Sequence, residues 1–451
     1  MRETKRLGLA LVVLLVVALA VALVGCGGGT ATTTTAAQGS TTTAGQTTTT
    51  TGGATTTTGG TAGAKVIKIG ATCPLTGSLS KEGNLFKQGY EFWQKTVNEG
   101  AGIKVGNDTY KVEIIIYDDG SNPQTAAKLT EQLISQDKVN FLLSPYSSGL
   151  VQATSSIAEK YKMINIAPIA NAEALYTRGY KYLFGVLPPA GSNLSSLVTM
   201  ADKYKMDVKS LVIVTPDDLC PLAAADGVKA RADELKWKVD VIKYPKTSTD
   251  LSGVVSQIKS LNPDAVISSA FFEGAVLLCK QMKEQRVAPK LIGFQDAPDI
   301  PDFVTSVGKD SNGIFGTSWW APNVSWKDAM FGTASEFAEK FKKAMNTTEL
   351  TYHVAAAAAG AEVLQLAIEK AGTLETEAVR NALLTLDVET FLMPVKFGKL
   401  SDPKLGAMDQ INISGSNLAV QVQNGTPMVV VYPEQVKQAE PIFPFPGWNQ
   451  Q

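Results

Sequence analysis

Short apolar runs recur along the chain from Lys65 onward, each followed by a stretch whose apolar residues fall at helical spacing. Residues 66–70 predict a strand, and Leu85, Gly89, Phe92, Trp93 and Val97 then share one face of a helix. Residues 112–117 form a nearly continuous apolar run that ends at Asp118-Asp119-Gly120, where Asp118 and Asp119 read as turn residues. Asn122-Pro123 opens the next helix, with Asn as cap and Pro at the first helical position. A third strand, 141–143, breaks at Ser144-Pro145-Tyr146 and gives way to a helix that starts at Ser147-Ser148. A fourth, 163–166, ends at Ala167-Pro168. Strands apolar on both faces, alternating with helices, imply a parallel sheet covered on both sides.

Leu187-Pro188-Pro189-Ala190-Gly191 marks a boundary, after which the rhythm returns. Strands are predicted at 211–214, 237–242, 265–267 and 291–292, with helices near 222–235, 251–261 and 274–285. Later the alternation breaks down. Helices are predicted at 334–344 and 354–371, then a hairpin of 418–422 and 428–432 around Asn424-Gly425. The Pro-rich end, 441–448, reads as an extended tail. The pattern predicts an α/β protein with two layers, whose facing carboxyl edges form a cleft for a small ligand. In the first layer two successive strand ends bring Ser147, Ser148 and Asn171 to one sheet edge. A helix N-terminus there offers unpaired N–H groups and a positive dipole end, which suits a carboxylate. The plainer alternative is that Ser147 or Ser148 only caps the helix.

Charge is nearly balanced, at −1, and gives no electrostatic reason for a nucleic-acid partner. The 44% apolar content suits a globular body with its own core. His353 is the sole histidine, too few for a His-based triad, a His-rich zinc site or HExxH. Neither a phosphate-binding GxxxxGKS/T loop nor GxSxG occurs. The expectation is a protein that is not an enzyme and uses no cofactor and no metal.

Arg2, Lys5 and Arg6 precede an uncharged apolar run, residues 7–24, ending in Leu23-Val24-Gly25-Cys26. This reads as a secretory signal, although the run is also nearly long enough for a transmembrane anchor. Leu-Val-Gly-Cys resembles the lipobox of bacterial lipoproteins. That resemblance implies that residues 1–25 are a removed signal peptide and that Cys26 carries a lipid holding the protein at the cell membrane, outside the cytoplasm. Residues 27–64 contain only Gly, Thr, Ala, Ser and Gln. They are expected to form a disordered tether with a root-mean-square span of roughly 35 Å.

From Lys65 to Trp448 the chain resembles the type I periplasmic, leucine/isoleucine/valine-binding solute-binding proteins of ABC importers. The residues that carry this are Cys73-Pro74-Leu75-Thr76-Gly77, where the family usually has Gly-Pro-x-Thr-Gly, and Tyr117-Asp118-Asp119 with Pro123. Ser147-Ser148, Ala167-Pro168 before Asn171, and Gly425 before Val429-Val430-Val431-Tyr432-Pro433 follow in family order. The resemblance implies two Rossmann-like lobes with parallel sheets, joined by a three-crossover hinge. It assigns residues 65–188 and 322–389 to lobe one, and 189–321 and 390–451 to lobe two.

The site it implies lies between the lobes. Ser147 and Ser148 take the ligand carboxylate, a role now preferred to capping alone. Asn171 stands where Thr is usual, and Leu79 belongs to the same set. Cys220 replaces a common aromatic wall residue. Phe271 or Phe272 fills the second aromatic position, or packs in the core. Gln295 occupies the position of the acid that meets the ligand ammonium, and Asp296 follows it. One of Trp319 and Trp320 could line the cleft, while Tyr352 and His353 are expected at the hinge or in the core. Cys73, Cys220 and Cys279 are an odd set in which an exported protein could pair Cys220 with Cys279, or Cys73 with Cys220 across the cleft.

The implied function is a lipid-anchored monomer that captures a branched-chain or related amino acid and delivers it to an ABC-type permease. A receptor for an amide, urea or carboxylic acid, and a ligand sensor for a signalling partner, are the alternatives.

Overall fold

The computed structural model describes residues 65–402, 404–415 and 417–448. Cys26, the signal segment and the tether lie outside them. The apolar runs of the first layer pair as one sheet. Lys65–Cys73 lies inside it, parallel to Asp108–Asp118 on one side and to Phe141–Leu143 on the other. Asn165–Ala167 and Leu183–Gly185 extend it in parallel. The second layer pairs Ser210–Pro216 in parallel with Lys238–Tyr244 and Ala265–Ser268, and continues through Leu291–Phe294 to Phe315–Ser318. The predicted hairpin, Leu418–Gln423 with Thr426–Tyr432, closes this sheet antiparallel to Phe315–Ser318.

Helices form where caps and spacing predict them. The Asn122 side chain accepts from the N–H groups of Gln124 and Thr125, starting Pro123–Ser135. Ser80–Glu99 turns Phe86, Tyr90 and Trp93 inward. They pack with Tyr352–Ala371, whose residues Ala355 to Ala359 are all fully buried. The small side chains permit a close crossing. A Cβ on Gly89 would lie 2.4 Å from the Val354 carbonyl oxygen. Two helices of the second layer, Gly191–Lys203 and Leu219–Glu234, cross as tightly at Gly191 and Gly227.

Several elements differ from expectation. The three-residue strand Leu183–Gly185 and the helices Gly191–Lys203 and Thr376–Leu384 were not predicted. Residues 390–451 do not all join the second layer. Pro394–Asp402 and Gly406–Asn412 extend the first sheet, with Ile411 opposite Gly185. Side chains hold that distant pairing in register: Asn412 donates to the Val186 carbonyl at 2.9 Å and Gln410 to that of Leu183 at 2.8 Å. The chain passes between sheets after Gly185, after Ser318 and after Asn412, so there are three crossovers. The C-terminal tail is extended, with Phe445 N–H donating to Lys290 and Trp448 Nε1 to Val287.

Candidate functional site

The strand Phe141–Leu143 stops at Ser144-Pro145, and the chain reaches the helix Ser148–Lys160 through Ser147. Ser147 holds φ 81°, ψ 140°, a region that strains any residue with a Cβ. Its Oγ accepts from Leu150 N–H at 3.4 Å, so the cap exists but is long. Ser148 Oγ accepts from Ala172 N–H at 3.2 Å, joining the two strand ends. A hydroxyl keeps one proton to donate, and among the described residues none accepts it from Ser148. Asn171 sits beside them, but its Nδ2 donates to the Pro188 carbonyl at 2.6 Å, at the first crossover.

These residues form one wall of a small enclosed cavity between the sheets, completed on that side by Tyr146, Ile169 and Tyr352. The second layer supplies Cys220, Phe271, Gln295, Asp296 and Trp319. The free space is about 10 Å³, on the order of what one water needs. Gln295 donates to Cys220 Sγ at 3.6 Å, and Cys220 Sγ reaches Asn171 Oδ1 at 4.0 Å, so polar contacts run from one wall to the other. All three described cysteines are free and buried, so neither pairing weighed above forms. Burial pushes the Cys220 thiol up to about 12, which keeps it protonated.

Gln295 and Asp296 both line the cavity. Alternation along an extended strand would have sent them to opposite sides. The strand ends at Phe294, however, and Asp296 turns into a 3₁₀ segment at φ −107°, ψ −16°. Asp296 accepts from Asn193 Nδ2 and from Gln295 Nε2, both at 3.4 Å. Burial pushes its carboxyl up to about 7, Glu82 adds to this, and the Tyr352, Gln295 and Asn193 side chains oppose it. Gln295 Oε1 is buried without a partner. Among the described residues Asp296 is the one charged side chain lining the cavity, and no base lines it.

The two layers meet around this cavity. Glu82, at the start of Ser80–Glu99, accepts from Phe272 N–H at 3.0 Å, at the start of Phe272–Glu284. Burial pushes Glu82 up to about 7 as well. Asp299 accepts from Tyr352 N–H at 3.1 Å, and burial raises its carboxyl well above the ordinary range. His353 is fully buried against Tyr146 and Tyr352, and burial lowers it to about 3, leaving a neutral ring. Glu82, Asp296 and Asp299 are thus three buried carboxyl groups whose affinity for a proton is raised, in the region where the two layers meet.

Two expected contacts fall elsewhere. Leu79 does not line this cavity. It lines a larger outer chamber of about 490 Å³ together with Tyr244, Lys246 and Glu273. Phe272 does not line it either, because it begins its helix and turns its ring into the core. Phe271 lines both chambers and forms the wall between them. Of the tryptophans, Trp319 lines the cavity, while Trp320 is buried and donates to the Phe391 carbonyl at 3.1 Å. Tyr352, expected at the hinge or in the core, lines the cavity. Tyr146, Ile169, Ala170 and the cross-layer Glu82 were missed. The only sequence signal for Tyr146 was its place in the Ser-Pro-Tyr-Ser-Ser strand end. Asp118 has a structural role: it accepts from Leu75 N–H at 3.0 Å, Thr76 Oγ1 at 2.8 Å and Gly120 N–H at 2.9 Å.

The sequence profile of the periplasmic binding protein family matches residues 66–405. The Leu/Ile/Val-binding protein homolog 8 of Brucella abortus is 26% identical over 398 residues, 85% of this chain and 94% of that protein. The isoleucine complex of LivJ, the branched-chain amino acid transporter substrate-binding protein of Streptococcus pneumoniae, superposes with a TM-score of 0.68 at 22% identity, covering 84% of this chain and all of that one. A solute-binding protein of an ABC transporter from R. palustris, solved with 4-hydroxybenzoate, gives 0.68 at 20% identity, covering 85% of this chain and 99% of that one. The match over most of the folded chain agrees with two α/β layers, three crossovers and a cavity at their carboxyl edges. The chain belongs to the periplasmic binding protein family, extracytoplasmic substrate-binding proteins rather than enzymes.

Proposed function

We propose that the protein captures a zwitterionic amino acid with an apolar side chain, branched-chain or related, and delivers it to an ABC-type permease. The observation that carries this is the charge arrangement of the cavity. A buried carboxylate, Asp296, stands on one wall without a base, and a helix N-terminus with Ser147 and Ser148 stands on the other. An ammonium at Asp296 and a carboxylate at the helix start satisfy both ends of the ligand. Tyr146, Ile169, Phe271 and Trp319 remain for an apolar side chain, and the two walls must move apart to admit it, since the free space of about 10 Å³ holds only about one water. The benzoate ligand of the R. palustris relative brings a carboxylate and no cation. In this cavity such a ligand leaves Asp296 uncompensated, which is why an amino acid is preferred. A neutral amide or urea is the second reading, favoured by the unpartnered Gln295 Oε1. A thermal-shift screen of the purified chain against amino acids, amides and aromatic acids separates the three. Stabilisation by aromatic acids alone would reject the proposal.

Ser147→Ala and Ser148→Ala should each weaken binding about ten-fold or more, since a hydrogen bond to a charged group contributes about 1.5–3 kcal/mol. A cap alone would cost about 1 kcal/mol of stability and leave affinity unchanged. Calorimetry and melting measured together distinguish these outcomes, and normal affinity in both variants would remove the serines from the site.

We further propose anchoring through a lipid on Cys26, supported by Leu23-Val24-Gly25-Cys26. Cys26→Ser should abolish metabolic lipid labelling and leave a precursor with its signal segment. Undiminished labelling would contradict the anchor.

A further inference from the structure

The helices Ser148–Lys160 of the first layer and Leu219–Glu234 of the second meet near their N-terminal ends. Three consecutive residues at the start of the second helix touch the first layer. Cys220 Sγ reaches Asn171 Oδ1 at 4.0 Å. Leu219 packs against the first-layer cluster that holds Val151, Ala170 and Leu175. Asp218, which caps the helix by accepting from Leu219 N–H at 2.7 Å, faces Gly149.

Gly149 is the telling residue. It stands second in its helix and its φ is not positive, so its own conformation does not call for glycine. A helix favours Ala over Gly. What calls for glycine is the other layer. The three atoms nearest to an added Cβ would all belong to Asp218, with Oδ1 at 2.9 Å, Cγ at 3.7 Å and Oδ2 at 3.8 Å. The first of these lies inside ordinary van der Waals contact. Asp218 has little room to yield. Its Oδ1 holds the Leu219 N–H, its Oδ2 accepts from Lys246 Nζ at 3.0 Å, and its side chain is 11% exposed. Gly149 N–H, in the first turn, has no carbonyl partner within its own helix, so the carboxylate is also favourably placed at the positive end of the helix dipole. Ser148, the preceding residue, and Cys220, two residues after Asp218, both line the central cavity. The contact therefore fixes how the two cavity walls stand to each other, although neither Gly149 nor Asp218 lines the cavity.

We propose that Gly149 and Asp218 are a positioning pair: Asp218 seats in the space left by the missing Cβ, and the two layers reach their register only with glycine at 149. The pair acts whatever ligand the cavity takes and does not depend on the amino-acid reading. The test is hydrogen exchange of the purified chain without added ligand, followed at the segments beginning at Phe272 and Tyr352, whose N–H groups bond across the layers to Glu82 and Asp299. Such exchange reports how often a local contact opens. Gly149→Ala should speed exchange at both segments by about three-fold or more, while Ser148–Lys160 exchanges no faster than in wild type. Asp218→Ser keeps a capping hydroxyl and places its oxygen where Cγ stood. In Gly149→Ala/Asp218→Ser the rate should therefore return to that of Asp218→Ser alone. Wild-type rates at both segments in Gly149→Ala would overturn the proposal. So would faster exchange throughout the chain. A double variant that exceeds Asp218→Ser by the same factor as Gly149→Ala exceeds wild type would also overturn it, because the alanine would then act without Asp218.

Discussion

Asp296→Asn should reduce amino-acid affinity by two to three orders of magnitude. The substitution keeps the shape and both hydrogen-bonding positions and removes only the charge. Leaving a buried ammonium without its partner costs about 3–5 kcal/mol, and each 1.4 kcal/mol is about ten-fold in affinity. Gln295→Ala should be milder, because it removes a neutral group whose Oε1 is unpartnered and whose Nε2 bonds are long, at 3.4 and 3.6 Å. The pH dependence supplies an independent check. Burial first, and then Glu82, lift the empty-site Asp296 carboxyl to about 7. An ammonium selects the ionised form, so binding below that value must expel a proton. Affinity should be constant above pH 7 and fall by up to about ten-fold per unit as pH drops below it. In Asp296→Asn the slope should flatten. A wild-type affinity independent of pH between 5 and 8, or an unaffected Asn variant, would favour the neutral-ligand reading.

Gly227→Ala should destabilise the second layer by about 1–3 kcal/mol or more, the usual cost of forcing extra volume into packed structure. The new Cβ would lie 2.0 Å from the Gly191 carbonyl oxygen and 2.5 Å from its Cα. Backbone meets backbone there, so no side chain can give way and the helices must separate. The crossing also sets the site. Gly191–Lys203 carries Asn193, which bonds Asp296, and Leu219–Glu234 carries Cys220, which bonds Gln295. Ligand affinity should therefore fall along with the melting temperature, although neither glycine lines the cavity. A variant that melts and binds like wild type would show that the helices separate without cost.

How much of this was legible depended on range. Phe141–Leu143, the Ser147-Ser148 helix start and the Asn122 cap are local, and spacing and turn chemistry marked them at the observed positions. Gly191–Lys203 was hidden because it has no side-chain cap and follows two prolines that read as a boundary. Leu183–Gly185 is too short for any period to show. The placement of Pro394–Asn412 in the first sheet rests on pairing with a strand over two hundred residues earlier, which no local pattern encodes. At the site, position along the chain located Ser147, Ser148, Cys220, Phe271, Gln295 and Asp296 on the cavity. Leu79 lines the outer chamber instead, and of the two alternatives left open for Phe272 the structure shows the core. The turn at Asp296, which brings two consecutive residues to one cavity, depends on where the strand stops.

Phe271 stands between a central space fit for one water and an outer chamber of about 490 Å³. On the proposed function, an amino acid passes that wall only once the layers no longer hold each other through Glu82 and Phe272. Entry and exit therefore wait on separation of the lobes, and the lifetime of the complex is governed by how often they part. Substitutions at the Glu82 contact should then alter residence time more than they alter which ligand is chosen, and the receptor's clock and its selectivity reside in different residues.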